Sequence, residues 1–96
     1  MLIDLPYKIG DNVSFKLSSG EEIVARLEEE NEKGFTLHKP MVLIAGKEGL
    51  GLAPFMFSVA PTGKFVLQSQ AISCVAKTEV NISKQYTQQT TGIAVA

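Results

Sequence analysis

The stretch NVSFKLSSGEEIVARLEEENEKGFTL, residues 12–37, decides the fold. Most of its apolar residues fall on odd numbers: Val13, Phe15 and Leu17, then Ile23, Ala25 and Leu27, then Phe35 and Leu37. Ser14, Lys16, Arg26, Glu28, Thr36 and His38 sit between or beside them. Successive side chains of a strand point to opposite faces, so this spacing predicts strands with one face on a core and the other toward water. The segments LSSG (17–20) and NEKG (31–34) punctuate the run, each with a glycine able to take a positive φ, so the three strands read as an antiparallel meander. The acids Glu28, Glu29, Glu30 and Glu32 are compatible with the start of a helix. Ile23 and Val24 before them and Gly34 after them favour a strand that ends in a charged turn.

Beyond this centre, MVLIA (41–45) and LAPFMFSV (52–59) flank the glycine-rich GKEGLG, which reads as a long hairpin over 41–59. Pro54 belongs at an edge or a bulge, because it donates no ladder hydrogen bond. FVL (65–67), the polar QSQ (68–70) and AISCV (71–75) read as two short strands meeting at a polar corner. From Ser83 onward Gln and Thr dominate, with Ile82 and Tyr86 four apart and Gly92 where a helix would end, which predicts a short C-terminal helix.

Ninety-six residues suffice for one domain and one core, so residues 1–96 are expected to form a single unit with its core in 10–78 and an extension over 79–96. Nine Lys and Arg against ten Asp and Glu exclude a domain that is basic all over, so any nucleic-acid site must be local. The charge is uneven along the chain: residues 1–32 hold three bases and eight acids, residues 33–96 six lysines and two acids. Cys74 is the only cysteine, which excludes an internal disulfide and any cysteine-based zinc cluster and suits a reducing, cytoplasmic setting. The opening MLIDLPYKIGD lacks a basic start and soon meets Pro6, so neither a signal peptide nor an anchor is expected, and no apolar run approaches a membrane span.

Catalysis needs a nucleophile with a base, paired acids, or metal ligands, and the chain offers His38 alone, Cys74 alone, and acids bunched in one segment. The expectation is a non-catalytic protein without metal or cofactor. GKEGLG shares only its glycine content with a phosphate loop and lacks the required order of residues.

From Gly10 to Val75 the spacing resembles the Sm/LSm family, especially its Hfq branch. The residues that carry the likeness to the first family motif are Val13, Phe15, Leu17, Gly20, Ala25, Leu27 and Asn31; FVL, QSQ and AISCV match the second. There are departures: Asn31 stands where the family has Asp, Ala25 where it has Gly, Phe35 where eukaryotic-type members have Asn, and Ser69-Gln70 where Hfq has Lys-His. The 41–60 hairpin and the ending from Tyr86 to Ile93 look like a divergent group of Sm-like proteins encoded by tailed phages.

The resemblance implies an all-β fold, a strongly bent five-stranded antiparallel sheet of SH3-like barrel type. It also implies edge pairing between copies into a homo-oligomeric ring of roughly five to seven subunits. In the family, single-stranded RNA lies at the pore rim, in a pocket between the turn after the second strand and the corner before the last. Carried over, the turn supplies Asn31, Lys33 and Phe35 and the corner supplies Gln68, Ser69 and Gln70. Gln and Asn can both donate and accept toward base edges, Ser69 can bond a phosphate or ribose, and Lys33 brings charge. By its odd number, however, Phe35 should point into the core. The implied role is to modulate RNA stability, pairing or translation. The absence of a cation at the corner, the acidic first third of the chain and the enlarged hairpin suit a different class, a structural or adaptor ring with a protein partner.

Overall fold

The odd-numbered apolar residues of the central stretch, from Val13 to Leu37, are all buried and form one cluster with Tyr7. Fully burying a side chain of this size is worth about 1.5–3 kcal/mol, so this cluster is the main driving force of the fold. The structure, a computed structural model, describes residues 5–60 and 62–91. In chain order it contains β1 (Asn12–Leu17), β2 (Glu22–Asn31), β3 (Gly34–Gly46), β4 (Gly49–Pro54), β5 (Lys64–Gln68), a 3₁₀ turn (Ser69–Ala71), β6 (Ile72–Lys77) and α1 (Val80–Thr91). The fold is all-β but for that C-terminal helix.

One antiparallel sheet holds every strand, in the order β4-β3-β2-β1-β6, with β5 also on β3. β3 is long enough for two partners on one side: Gly34 to His38 pair with β5, and Met41 to Gly46 pair with β4. Five strands thus run β5-β3-β2-β1-β6, and β4 adds a sixth as the expected hairpin. Gly20 takes φ 111° in the β1–β2 turn, and Gly49 takes φ 112° where β3 turns into β4, conformations that a side chain disfavours.

The strand boundaries differ from the sequence expectation in three places. The acids Glu28, Glu29 and Glu30 lie within β2 rather than in a turn, and a bulge between Leu27 and Glu29 absorbs one extra residue there. The second arm of the hairpin stops at Pro54, the last residue of an edge strand, so Phe55 to Ala60 are not strand; Phe55 instead packs against the core. The first arm is not a separate strand, because β3 runs unbroken from Gly34 through Pro40 to Gly46. Gly92, the expected helix end, lies outside the described residues.

Two further bulges shape the sheet. Val24 pairs with Met41 and Arg26 with His38, which leaves Lys39 and Pro40 opposite the single residue Ala25. Lys39 takes φ 49° there, a left-handed conformation that costs a non-glycine residue roughly 1–2 kcal/mol. In β6, Cys74 pairs with Lys16 and Ile72 with Leu17, so Ser73 is extra, and Ile72 and Val75 both pack on the core despite being three apart.

Helix α1 docks on the opposite face of the sheet. Glu79 caps its start, its carboxylate accepting hydrogen bonds from the backbone N–H groups of Asn81 and Ile82 at 2.9 and 3.0 Å. Asn12 donates through its side-chain amide to the hydroxyls of Ser83 and Thr87, 2.7 and 3.2 Å away. The buried Tyr86 hydroxyl reaches the Lys39 bulge, its one proton shared between the carbonyls of His38 and Lys39 at 2.7 and 2.9 Å and its oxygen accepting from the Arg26 N–H at 3.1 Å. Lys39 returns the contact, its Nζ donating to the Thr90 carbonyl at 2.6 Å near the helix end.

Burial pushes the Tyr86 phenol up to about 12, since the phenolate would be stripped of water. The folded state therefore keeps a proton that the unfolded chain releases above pH about 10. The stabilisation is whole below that pH and declines by about 1.4 kcal/mol per unit as pH rises through the folded value. Tyr86→Phe removes the hydroxyl and should lower stability by about 1–3 kcal/mol in urea unfolding at neutral pH. Its stability should also fall less steeply than the parent's between pH 10 and 12; parallel curves would rule Tyr86 out as the titrating group.

Candidate nucleic-acid interface

Asn31 ends β2 and closes its own turn: its Oδ1 accepts from the N–H groups of Lys33 and Gly34 at 2.9 and 3.2 Å. This use as a turn acceptor leaves its amide nitrogen as the group available to a ligand. Lys33, exposed at the tip, accepts a hydrogen bond through its carbonyl from the Ser69 N–H at 3.0 Å. Gly34 pairs with Gln68 across the β3–β5 ladder. The turn and the polar corner, far apart in the chain, are thus pinned side by side.

Gly34 is required for that approach and not for a positive φ, contrary to the sequence expectation. A Cβ at Gly34 would run into the Leu67 carbonyl and stand 3.1 Å from the Gln68 Cα. Gln68, Ser69 and Gln70 are all exposed beside it, and the 3₁₀ turn that carries the last two is held on its other side by the Ser18 N–H donating to the Ala71 carbonyl.

Of the six expected contact residues, five are brought to one surface and Phe35 is not. Its side chain is 7% exposed and sits in the core, edge-on to Phe15 with centroids 5.1 Å apart and to Tyr7 at 6.4 Å. Phe35 supports the turn from beneath and offers no open ring face for stacking. The charge near the turn is mainly acidic, with exposed Glu29, Glu30 and Glu32 around Lys33, and with Lys8 in the groove beside Asn31. Such a surface is poorly suited to gripping phosphate and offers mainly groups that hydrogen-bond to polar edges.

Beside Asn31 lies an open groove of about 450 Å³ that includes the exposed apolar Leu5 and Ile9 and the buried Tyr7. The Tyr7 phenol is raised above its ordinary value, first by burial and then by its hydrogen bond to Glu30. The sequence reading overlooked these residues because 5–9 lie before the matched motifs.

It overlooked a second, more polar cleft as well. Between α1 and the outer face of the sheet lies a space of about 400 Å³, with Arg26, His38, Lys39 and Lys77 on the sheet side and Ser83 and Thr87 on the helix side. A signal was present: Arg26 and His38 are even-numbered members of strands whose odd residues are core, and Ser83 and Thr87 are spaced to share a helix face. His38 Nδ1 lies 3.7 Å from Glu28 Oε1 at the rim, and Lys77 Nζ lies 3.9 Å from Asp11 Oδ2.

Cys74 is exposed on β6, and no group of three or more His, Cys, Asp or Glu among the described residues is arranged to hold a metal ion. No helix among them is long and apolar enough to cross a membrane. Compared with known proteins, the chain matches no family model and no curated protein.

Gly34→Ala should force the turn and the corner apart. The expected result is a loss of about 1–3 kcal/mol, the range for overpacking at a rigid site, with amide shift changes concentrated at Lys33, Leu67 and Ser69 in NMR spectra. Wild-type stability together with unchanged shifts would contradict the apposition.

Proposed function

We propose that this chain is an Sm-like protein that assembles into a homo-oligomeric ring. In this reading it binds single-stranded RNA at the rim and modulates RNA stability, pairing or translation without catalysis. The observation that carries the reading is the apposition of the β2–β3 turn and the β5–β6 corner, which puts Asn31, Lys33, Gln68, Ser69 and Gln70 on one exposed surface. These side chains suit unpaired bases, whose edges a duplex would hide. For assembly, β5 pairs only with β3 and β6 only with β1 among the described residues, so each has a free edge that strand addition between copies would satisfy.

A specific observation favours a second reading, an adaptor ring with a protein partner. Phe57 is 86% exposed and Val66 69%. Exposed aromatic and aliphatic groups are what protein partners cover.

Native mass measured by sedimentation should be roughly five to seven times that of the 10.4 kDa chain. A monomer at micromolar concentration would overturn the ring. Replacing Gln68 and Gln70 together by Ala should leave the oligomer whole and weaken binding of short U-rich or A-rich strands. Each lost hydrogen bond costs about 0.5–1.5 kcal/mol, roughly two- to tenfold in affinity per site, and the loss recurs at every subunit the strand touches. Unchanged affinity would remove the corner from the site. An intact ring that binds no RNA even at low salt would favour the adaptor.

A further inference from the structure

The chain as a whole carries a net charge of −1, yet the cleft between α1 and the sheet has the opposite sign. Among the described residues lining it, Arg26, Lys39 and Lys77 face one acid, Asp11. These cations are not equally committed. Lys39 Nζ is bound to the Thr90 carbonyl, and Lys77 leans toward Asp11. Arg26 makes no ion pair among the described residues, although its backbone N–H is held by the Tyr86 hydroxyl. Its guanidinium, with five donors in a planar fork, is the group best suited to an oxyanion.

The wall opposite is built of hydroxyls. Ser83 and Thr87 accept from the Asn12 amide, which leaves their own protons free to turn toward a ligand. Tyr86 stays a neutral phenol across the physiological range, so it adds no negative charge to the space. A volume of about 400 Å³ falls within the range of small-molecule sites.

We propose that this cleft binds a small phosphorylated ligand, its phosphate held by Arg26 and Lys77 and by the hydroxyls of Ser83 and Thr87, with His38 at the mouth. Both strand and helix supply donors, so the ligand bridges α1 to the sheet. The site is separate from the turn and corner and does not depend on ring assembly or on RNA binding.

The test is an NMR titration of the intact protein with inorganic phosphate and, separately, with adenosine and uridine monophosphates. Saturable amide shifts at Arg26, Lys77, Ser83 and Thr87 are expected, with the nucleotides tighter than phosphate if the cleft also holds the nucleoside. Equal affinities would assign the site to the phosphate group alone. Arg26→Gln keeps the backbone bond to Tyr86 and should weaken binding about tenfold or more, and Lys77→Gln should weaken it several-fold. Lys47→Gln, at the β3–β4 hairpin tip and not among the residues lining the cleft, removes the same formal charge and should change nothing. No saturable shift up to about 10 mM of any of the three probes would overturn the proposal. So would equal weakening by Lys47→Gln and Arg26→Gln, which would mark general electrostatic attraction.

Discussion

The Tyr86 hydroxyl, seated against a bulge in β3, is the constraint on which the rest of the arrangement depends. The bulge puts Lys39 and Pro40 opposite Ala25, with Lys39 at φ 49°. That strained conformation turns the carbonyls of His38 and Lys39 toward one buried oxygen, which also accepts the Arg26 N–H. A buried hydroxyl with no partner would be costly, and so would polar backbone left open by the bulge. Each satisfies the other, and no described buried side-chain polar atom is left unpaired. The helix is therefore part of the sheet's hydrogen-bond accounting, although it lies outside the span where the sequence placed the core.

The bulges also decide which residues reach the surface. Without the extra residue near Glu28, the acids after Leu27 would keep strict alternation against β3. With it, Glu30 lies opposite Phe35, and the strand can end at Asn31 opposite Gly34. The turn then meets the corner. At the other end, the extra Ser73 lets β6 put both Ile72 and Val75 on the core and still pair with β1. One-residue insertions thus aim the turn and the final strand without interrupting the sheet.

The core was legible in the sequence because it is local and periodic. Val13 to Leu37 alternate in register, and Gly20 marks its turn with a positive φ. The bulges were not legible, because nothing in Leu27-Glu28-Glu29 or Lys39-Pro40 distinguishes an inserted residue from a strand end until the partner strand is known. Pro40 in particular reads as a terminator, yet it sits inside β3, opposite Ala25, where the bulge interrupts regular pairing. The five polar contact candidates of the turn and corner came from the family resemblance, carried over position by position along two motifs. Phe35 shows the limit of carrying a position across: its place matches, but its side chain is taken up by the core. The cleft under α1 was hidden for another reason. Its cations come from β2, β3 and β6, and no linear window contains more than two of them.

The two surfaces differ in how they are tied to stability. The turn and corner are held by backbone contacts within the sheet, through Ser69, Lys33 and the β3–β5 ladder, so a ligand there bridges strands that are already joined. The cleft lies between elements held together by a few side-chain bonds from Asn12, Lys39 and Tyr86. Anything that binds both of its walls adds its own free energy to helix docking. A ligand at about 100 times its Kd adds about 2.7 kcal/mol, comparable to what the Tyr86 hydroxyl contributes through its hydrogen bonds. Occupancy of the cleft and retention of the Lys39 bulge therefore favour one another, because both need α1 in place against the same carbonyls.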